Sequence, residues 1–179
     1  MPKKIVVAVM LAVSFLGALV AVISLMKKNE SVAYNKSYTW YADFDASDNS
    51  ETLVKGRKIN EIKSDVNKLI IALNKASEET ETRRSQGEEA RTSFPQIALR
   101  KIEQRTAELE VVNDQYLTQK MGSSGAQGYL AGATYTLTEN PGIRSVNFIF
   151  QPGEHAMPGI YSRESFTGYK LMTEDAARR

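Results

Sequence analysis

The chain holds one histidine, His155, and no cysteine. Those two facts bound its chemistry. Without cysteine there is no disulfide, no thiolate zinc cluster and no cysteine nucleophile. A metal centre needs three or four ligands, and no spacing of Asp or Glu around His155 supplies the others. A lone loop histidine is most often a solvated one. Asp43, Asp45, Ser47 and Asn49 alternate like the first ligands of a calcium loop. The sixth position is Asp48 where that loop needs glycine, and the twelfth is Val54 where it needs glutamate. A strand running into a turn explains the pattern better. Gly122-Ser-Ser-Gly125 opens a helix, whose backbone N–H groups could hold an anion. It lacks the Lys-Ser/Thr of a phosphate loop, so capping by Ser123 or Ser124 accounts for it. Ser123, Ser162 and Ser165 have no companion histidine–acid pair that would make a triad. Tyr38, Trp40 and Tyr41 could stack a sugar or a base, though sheet packing is the commoner use of such rings. The expectation is a non-enzymatic protein with no catalytic residue, no cofactor and no metal.

Composition narrows the partners. The 179 residues carry 23 basic and 21 acidic side chains, a net charge of +2. The two signs are interleaved, with no basic stripe to follow a phosphate backbone, so nucleic acid is excluded as an expected partner. One ordinary domain fits the length, and it can bury a core without disulfides.

The elements that must position these residues begin with an apolar run. Ile5 to Met26 is uncharged and, as a helix, spans about 33 Å, enough to cross a hydrocarbon core. Lys3 and Lys4 flank one end, Lys27 and Lys28 the other. The run is too long for a cleaved signal peptide and lacks its small-residue cleavage site. Residues 1–28 therefore read as a transmembrane anchor and 29–36 as a tether. The short basic tail is expected inside and the domain outside: a single-pass protein of the cytoplasmic membrane with an extracytoplasmic C-terminal domain.

The domain is expected over 37–172. Ser37 to Asp45 alternates as a strand, with Tyr38, Trp40, Ala42 and Phe44 on one face, and 46–50 is turn chemistry. Ile59, Ile62, Val66, Leu69, Ile70 and Leu73 form one apolar stripe, predicting a helix over about 57–76. Residues 77–94 are charged and apolar-poor, predicting a flexible loop, with frayed helix at its start as the alternative. Gln96 to Asn113 carries both helical and strand-like spacings, and period alone leaves the two open. Ala126, Tyr129, Leu130, Ala133 and Leu137 share a helical face, which Asn140-Pro141-Gly142 ends. Ile143 to Phe150 alternates as a strand with Val146, Phe148 and Phe150 inward. The stretch after it reads as irregular and 173–179 as a disordered tail. The fold expected is α+β, two helices packed on a small mixed sheet as a two-layer sandwich.

Gly122 to Phe150, with its small-residue helix start, Thr136-Leu-Thr138, Pro141-Gly-Ile143 and Val146-Asn-Phe148, resembles the second half of the GerMN domain family, the GerM-like sporulation and germination module. Ala107 to Asn113 is similar to that family's preceding strand. Tyr41 to Asp45 and Leu53 to Ile59 are similar to its first strand and the start of its first helix. The resemblance spans about 36–165. It implies a fold akin to ring-building motifs, two strands within 96–113, and protein–protein assembly with envelope or sporulation proteins, self-association included. On that basis Val146, Phe148 and Phe150 are the candidate interface, carried on an exposed edge strand. A module binding envelope polymer such as peptidoglycan, or a small ligand, is the alternative; a small hydrolase ranks below both.

Overall fold

The computed structural model describes residues 37–45, 50–59, 66–84 and 94–173. The expected anchor between Ile5 and Met26, the tether 29–36, the turn residues 46–49 and the tail from 174 lie outside them. Among the described residues no helix is long and apolar enough to cross a membrane.

The fold is α+β, with two sheets instead of the single one expected. Strand β1 (Ser37–Asp45) pairs antiparallel with β2 (Ser50–Ile59), in a register running from Ser37 opposite Ile59 to Asp45 opposite Ser50. A bulge falls between Tyr38 and Trp40. Strand β7 (Lys170–Thr173) lies parallel to β2, completing a sheet ordered β1-β2-β7. Central position explains β2's sequence. Thr52, Leu53 and Val54 are all buried, so the strand shows a run where a half-exposed strand would alternate. The start of a first helix that the resemblance implies over Leu53 to Ile59 is corrected to strand.

Helix α1 is Val66–Arg84. The stripe of Val66, Leu69, Ile70 and Leu73 is buried as expected, but Ile59 belongs to β2 and the helix starts later and ends later than 57–76. Residues 77–84, expected as loop, are its last two turns. Their Glu and Arg residues favour helix even with nothing to bury. The Asn74 amide bonds the helix to the second sheet in both directions. Its Nδ2 donates to the Ile97 carbonyl at 2.9 Å, and its Oδ1 accepts from Ile97 N–H at 3.0 Å.

Strands β3 (Gln96–Glu103) and β4 (Thr106–Val112) form a hairpin, which resolves the open reading of 96–113 as strand. Its loop residues Gln104 and Arg105 both have positive φ, 47° and 65°, the conformation of a tight two-residue hairpin turn. A π-helical turn at Tyr116–Lys120 leads to helix α2 (Ser123–Leu137). Gly122, at φ 74°, is the N-cap, and no side chain caps the helix, so Ser123 and Ser124 do not play the expected role. Helix α2 is the crossover that lets β5 (Ser145–Ile149) run parallel to β4. β6 (Gly159–Tyr161) then pairs antiparallel with β5, and a short 3₁₀ turn, Arg163–Phe166, leads to β7. The second sheet is ordered β3-β4-β5-β6. The stretch after Phe150 is therefore not irregular, and Thr173, expected in the disordered tail, closes β7.

One core joins these parts. Trp40 and Leu53 from the first sheet, the α1 stripe, and Leu109, Val146 and Phe148 from the second belong to one buried cluster around α2. Helix α2 is buried on every side over its last two turns. Its glycines allow that. A Cβ on Gly132 would sit 2.8 Å from the Trp40 carbonyl oxygen, and one on Gly128 would sit 2.5 Å from Ala42 Cβ. The helix backbone thus lies directly on β1. Thr136 Oγ1 ties the two, accepting from Trp40 N–H at 2.8 Å and donating to Gly132 O at 2.7 Å.

Candidate functional site

The sequence-predicted interface lies inside the protein. Val146, Phe148 and Phe150 are buried, and β5 is hydrogen-bonded to β4 on one side and β6 on the other. It is an internal strand, and the expected exposed edge is corrected accordingly. The strand that covers it, β6, is three residues long and reads as irregular tail in the sequence. Phe148 meets Tyr161 of β6 edge-on, with ring centroids 5.8 Å apart. The edges of this sheet are β3 and β6. At β6 the exposed side chains are apolar: Met157 just before it is 60% exposed and Ile160 within it 68%. The Tyr161 hydroxyl donates to the Met157 carbonyl at 2.7 Å, fixing the chain that leads into this edge.

The other singled-out residues mostly serve the fold. His155 donates its backbone N–H to Thr118 O at 3.1 Å, and its Nδ1 lies 3.2 Å from Ser123 Oγ. The fold thus brings Ser123 and His155 together although they are far apart in sequence. No carboxylate orients the imidazole among the described residues. The pair therefore lacks the third member that activates a serine, and it clips the 151–158 loop to the start of α2. Ser162 and Ser165 cap the 3₁₀ turn reciprocally, the Ser162 N–H donating to Ser165 Oγ at 3.1 Å. Among the described residues no cluster of three His, Asp or Glu could hold a metal ion.

Trp40 is a core residue whose Nε1 donates to Glu139 Oε1 at 3.0 Å. Glu139 also pairs with Arg163 at 3.2 Å. Arg163 in turn donates to Thr138 Oγ1 at 2.8 Å and to the Tyr135 carbonyl at 3.2 Å. Its guanidinium lies 4.9 Å from the Tyr135 ring centroid. A cation that satisfies a last-turn carbonyl is the favoured partner for a helix C-terminus. Tyr38 sits under the Lys55 ammonium at 3.9 Å.

Tyr41 has a different setting. It lines a cavity of about 580 Å³ between β1, α1 and the first half of α2. Gly125, Gly128 and Gly132 are among its lining, but a Cβ on each would meet Met121, Ala42 or the Trp40 carbonyl before the open space, so they bring α2 close to its neighbours at the cavity wall. Rings converge from distant segments. Phe94 packs edge-on against Tyr129 and tilted against Tyr116, at 5.8 and 5.7 Å. Tyr129 donates to the Pro95 carbonyl at 3.1 Å, and burial pushes its phenol pKa far above the ordinary value. Tyr169 closes another side. Its hydroxyl is shut from solvent and makes no hydrogen bond of good geometry among the described residues. Burial first, and the Glu51 carboxylate second, raise its pKa well above that of a free phenol. Asp43 and Glu51 bring negative charge to the lining, and Lys120 brings positive charge. Sequence reasoning found Tyr41 as a stacking ring but not the cavity, whose walls come from segments far apart in the chain.

Comparison of the chain with protein-family models, with characterised proteins and with solved structures gave no match.

Proposed function

We propose that the chain is a membrane-anchored, non-catalytic module that assembles with other proteins on the extracytoplasmic side, in the manner of a GerM-like sporulation or germination domain. The anchor at Ile5 to Met26 would hold it at the cytoplasmic membrane. The observation that carries the assembly reading is the β6 edge, where Met157 and Ile160 expose apolar side chains on a strand whose outer side has no partner among the described residues. An open edge offers main-chain hydrogen bonds to an added strand, and the flanking apolar groups supply the buried area. The resemblance is a further support. The hairpin within 96–113, the helix from 123 and the strand through Val146 and Phe148 are compatible with it, whereas Leu53 to Ile59, which it implies as the start of a helix, is strand β2. The test is site-specific photocrosslinking of the full-length chain in its membrane, with the probe at Ile160 and a control at Glu110 on the exposed sheet face. Protein adducts, homo-oligomeric or heterologous, are expected at 160 and not at 110, and Ile160→Asp should remove co-purification while changing stability by no more than about 0.5 kcal/mol. Equal crosslinking at the two positions refutes the edge as the interface.

A second reading rests on a different observation, the ring-lined cavity beside α2. Its size falls in the range of roughly 300–1,000 Å³ used by small-ligand sites. On this reading the module also binds a small molecule or a piece of envelope polymer.

A further inference from the structure

We infer that the cavity takes an uncharged saccharide, stacked on tyrosine rings and held at its hydroxyls by charged groups of both signs. The inference rests on the cavity reading just given, and adds the chemical class of the ligand. It stands apart from the β6 edge.

The walls supply the first argument. Tyr41, Tyr116 and Tyr169 line the space from three separate segments. A tyrosine offers an apolar ring with a polar tip. A sugar ring is the complementary object, with C–H faces and a rim of hydroxyls.

Charge weighs against ligands of a single sign. Asp43 and Glu51 share the lining with Lys120. An organic cation would meet the ammonium of Lys120, and an anion would meet two carboxylates. Either mismatch selects against that ligand. A neutral polyol uses both signs, because carboxylates accept from its hydroxyls and an ammonium donates to them. The third argument is an unspent group. The Tyr169 hydroxyl is closed off from solvent beside the Glu51 carboxylate, makes no hydrogen bond of good geometry among the described residues, and lies 3.8 Å from where a Gly128 Cβ would be. A buried hydroxyl left unpaired is uncommon, and a ligand hydroxyl in the cavity would satisfy it.

The experiment is saturation-transfer NMR on the full-length chain in amine-oxide micelles, since maltoside detergents would compete. The probes are methyl β-glucoside, cellobiose and N,N′-diacetylchitobiose, with tetramethylammonium and methyl phosphate as charged controls. Two variants go with it. Ser124→Trp fills the cavity from the exposed first turn of α2, and Glu51→Gln removes one charge while keeping the shape. The expected result is transfer to the C–H protons of at least one saccharide. Ser124→Trp should abolish it, and Glu51→Gln should weaken it about tenfold, the loss of one charge-assisted hydrogen bond. Circular dichroism should be unchanged for both. Binding of a charged control but of no saccharide, lost in Ser124→Trp, overturns the ligand class and leaves the cavity as a site. Binding of no probe overturns both. Saccharide binding untouched by either variant places the sugar elsewhere and also overturns the inference.

Discussion

Arg163 joins segments that are separate in sequence. It stands in the 3₁₀ turn and reaches the last turn of α2, where it bonds Thr138, the Tyr135 carbonyl and Glu139. Glu139 in turn holds the indole of Trp40 in β1. The chain of contacts runs from a late segment through the helix end to the first strand. The Arg163 side chain is 40% exposed, so its ion pair with Glu139 is partly screened and contributes less than a buried pair. The hydrogen bonds and the ring contact remain. Arg163→Met keeps most of the apolar stem and removes the donors. It is expected to destabilise by about 1–2 kcal/mol, read as a drop in Tm of roughly 3–6 °C. A variant that melts with the wild type would show that the cluster only decorates the helix end.

At the scale of the element, α2 and β1 make a contact that glycine alone permits, and two substitutions should differ in sign. Gly132→Ala places a methyl 2.8 Å from the Trp40 carbonyl oxygen, which is backbone and cannot swing away. Overpacking of that kind costs about 1–3 kcal/mol, exceeding the helix-propensity gain of about 1 kcal/mol at most sites. Gly125→Ala meets only the flexible end of Met121, 2.7 Å from its Cγ, which can rotate aside. That variant should be neutral or more stable by up to about 1 kcal/mol. Urea unfolding of the pair measures both; equal effects would mean that the helix and strand are free to separate. The same scale shows what could be read in the sequence. The stripe from Val66 to Leu73 and the alternation through Val146 and Phe148 were visible because each buries one face, and α2 was visible because Asn140-Pro-Gly142 marks its end. β2 was not, because burial of Thr52, Leu53 and Val54 together erases the alternation. Nor was the turn at Gln104 and Arg105, which adopts positive φ with neither glycine nor asparagine to announce it. β6 and β7 are three and four residues long, and pairing with distant strands decides them, not their own sequence. The cavity was out of reach for a related reason, since its rings arrive from Tyr41, Tyr116 and Tyr169.

For the molecule as a whole, those buried phenols set an alkaline limit. Tyr129 and Tyr169 both have folded pKa values raised above the unfolded value of about 10. Above that pH the unfolded chain releases protons that the folded protein retains, so stability must fall as pH rises. Below about pH 9 neither group contributes a slope. Each phenol that stays protonated adds a loss of up to about 1.4 kcal/mol per pH unit above 10, until its own folded pKa is passed. Urea midpoints between pH 8 and 11 should therefore be flat and then decline, with a shallower decline in Tyr129→Phe and Tyr169→Phe. A profile identical in the wild type and both variants would place the alkaline limit elsewhere.

The pairing of β7 with β2 has a consequence for timing. Thr52 lies opposite Lys170, so the first sheet receives its third strand only from residues far along the chain. The second sheet draws all its strands from a shorter stretch, Gln96 through Tyr161. Closing a long loop is entropically dearer and slower than closing a short one. On a chain emerging from the ribosome, the hairpin made first is thus the sheet finished last. For that interval Leu53 and Val54 sit on an unpaired margin, which makes the newborn protein most vulnerable to mispairing at its oldest strand.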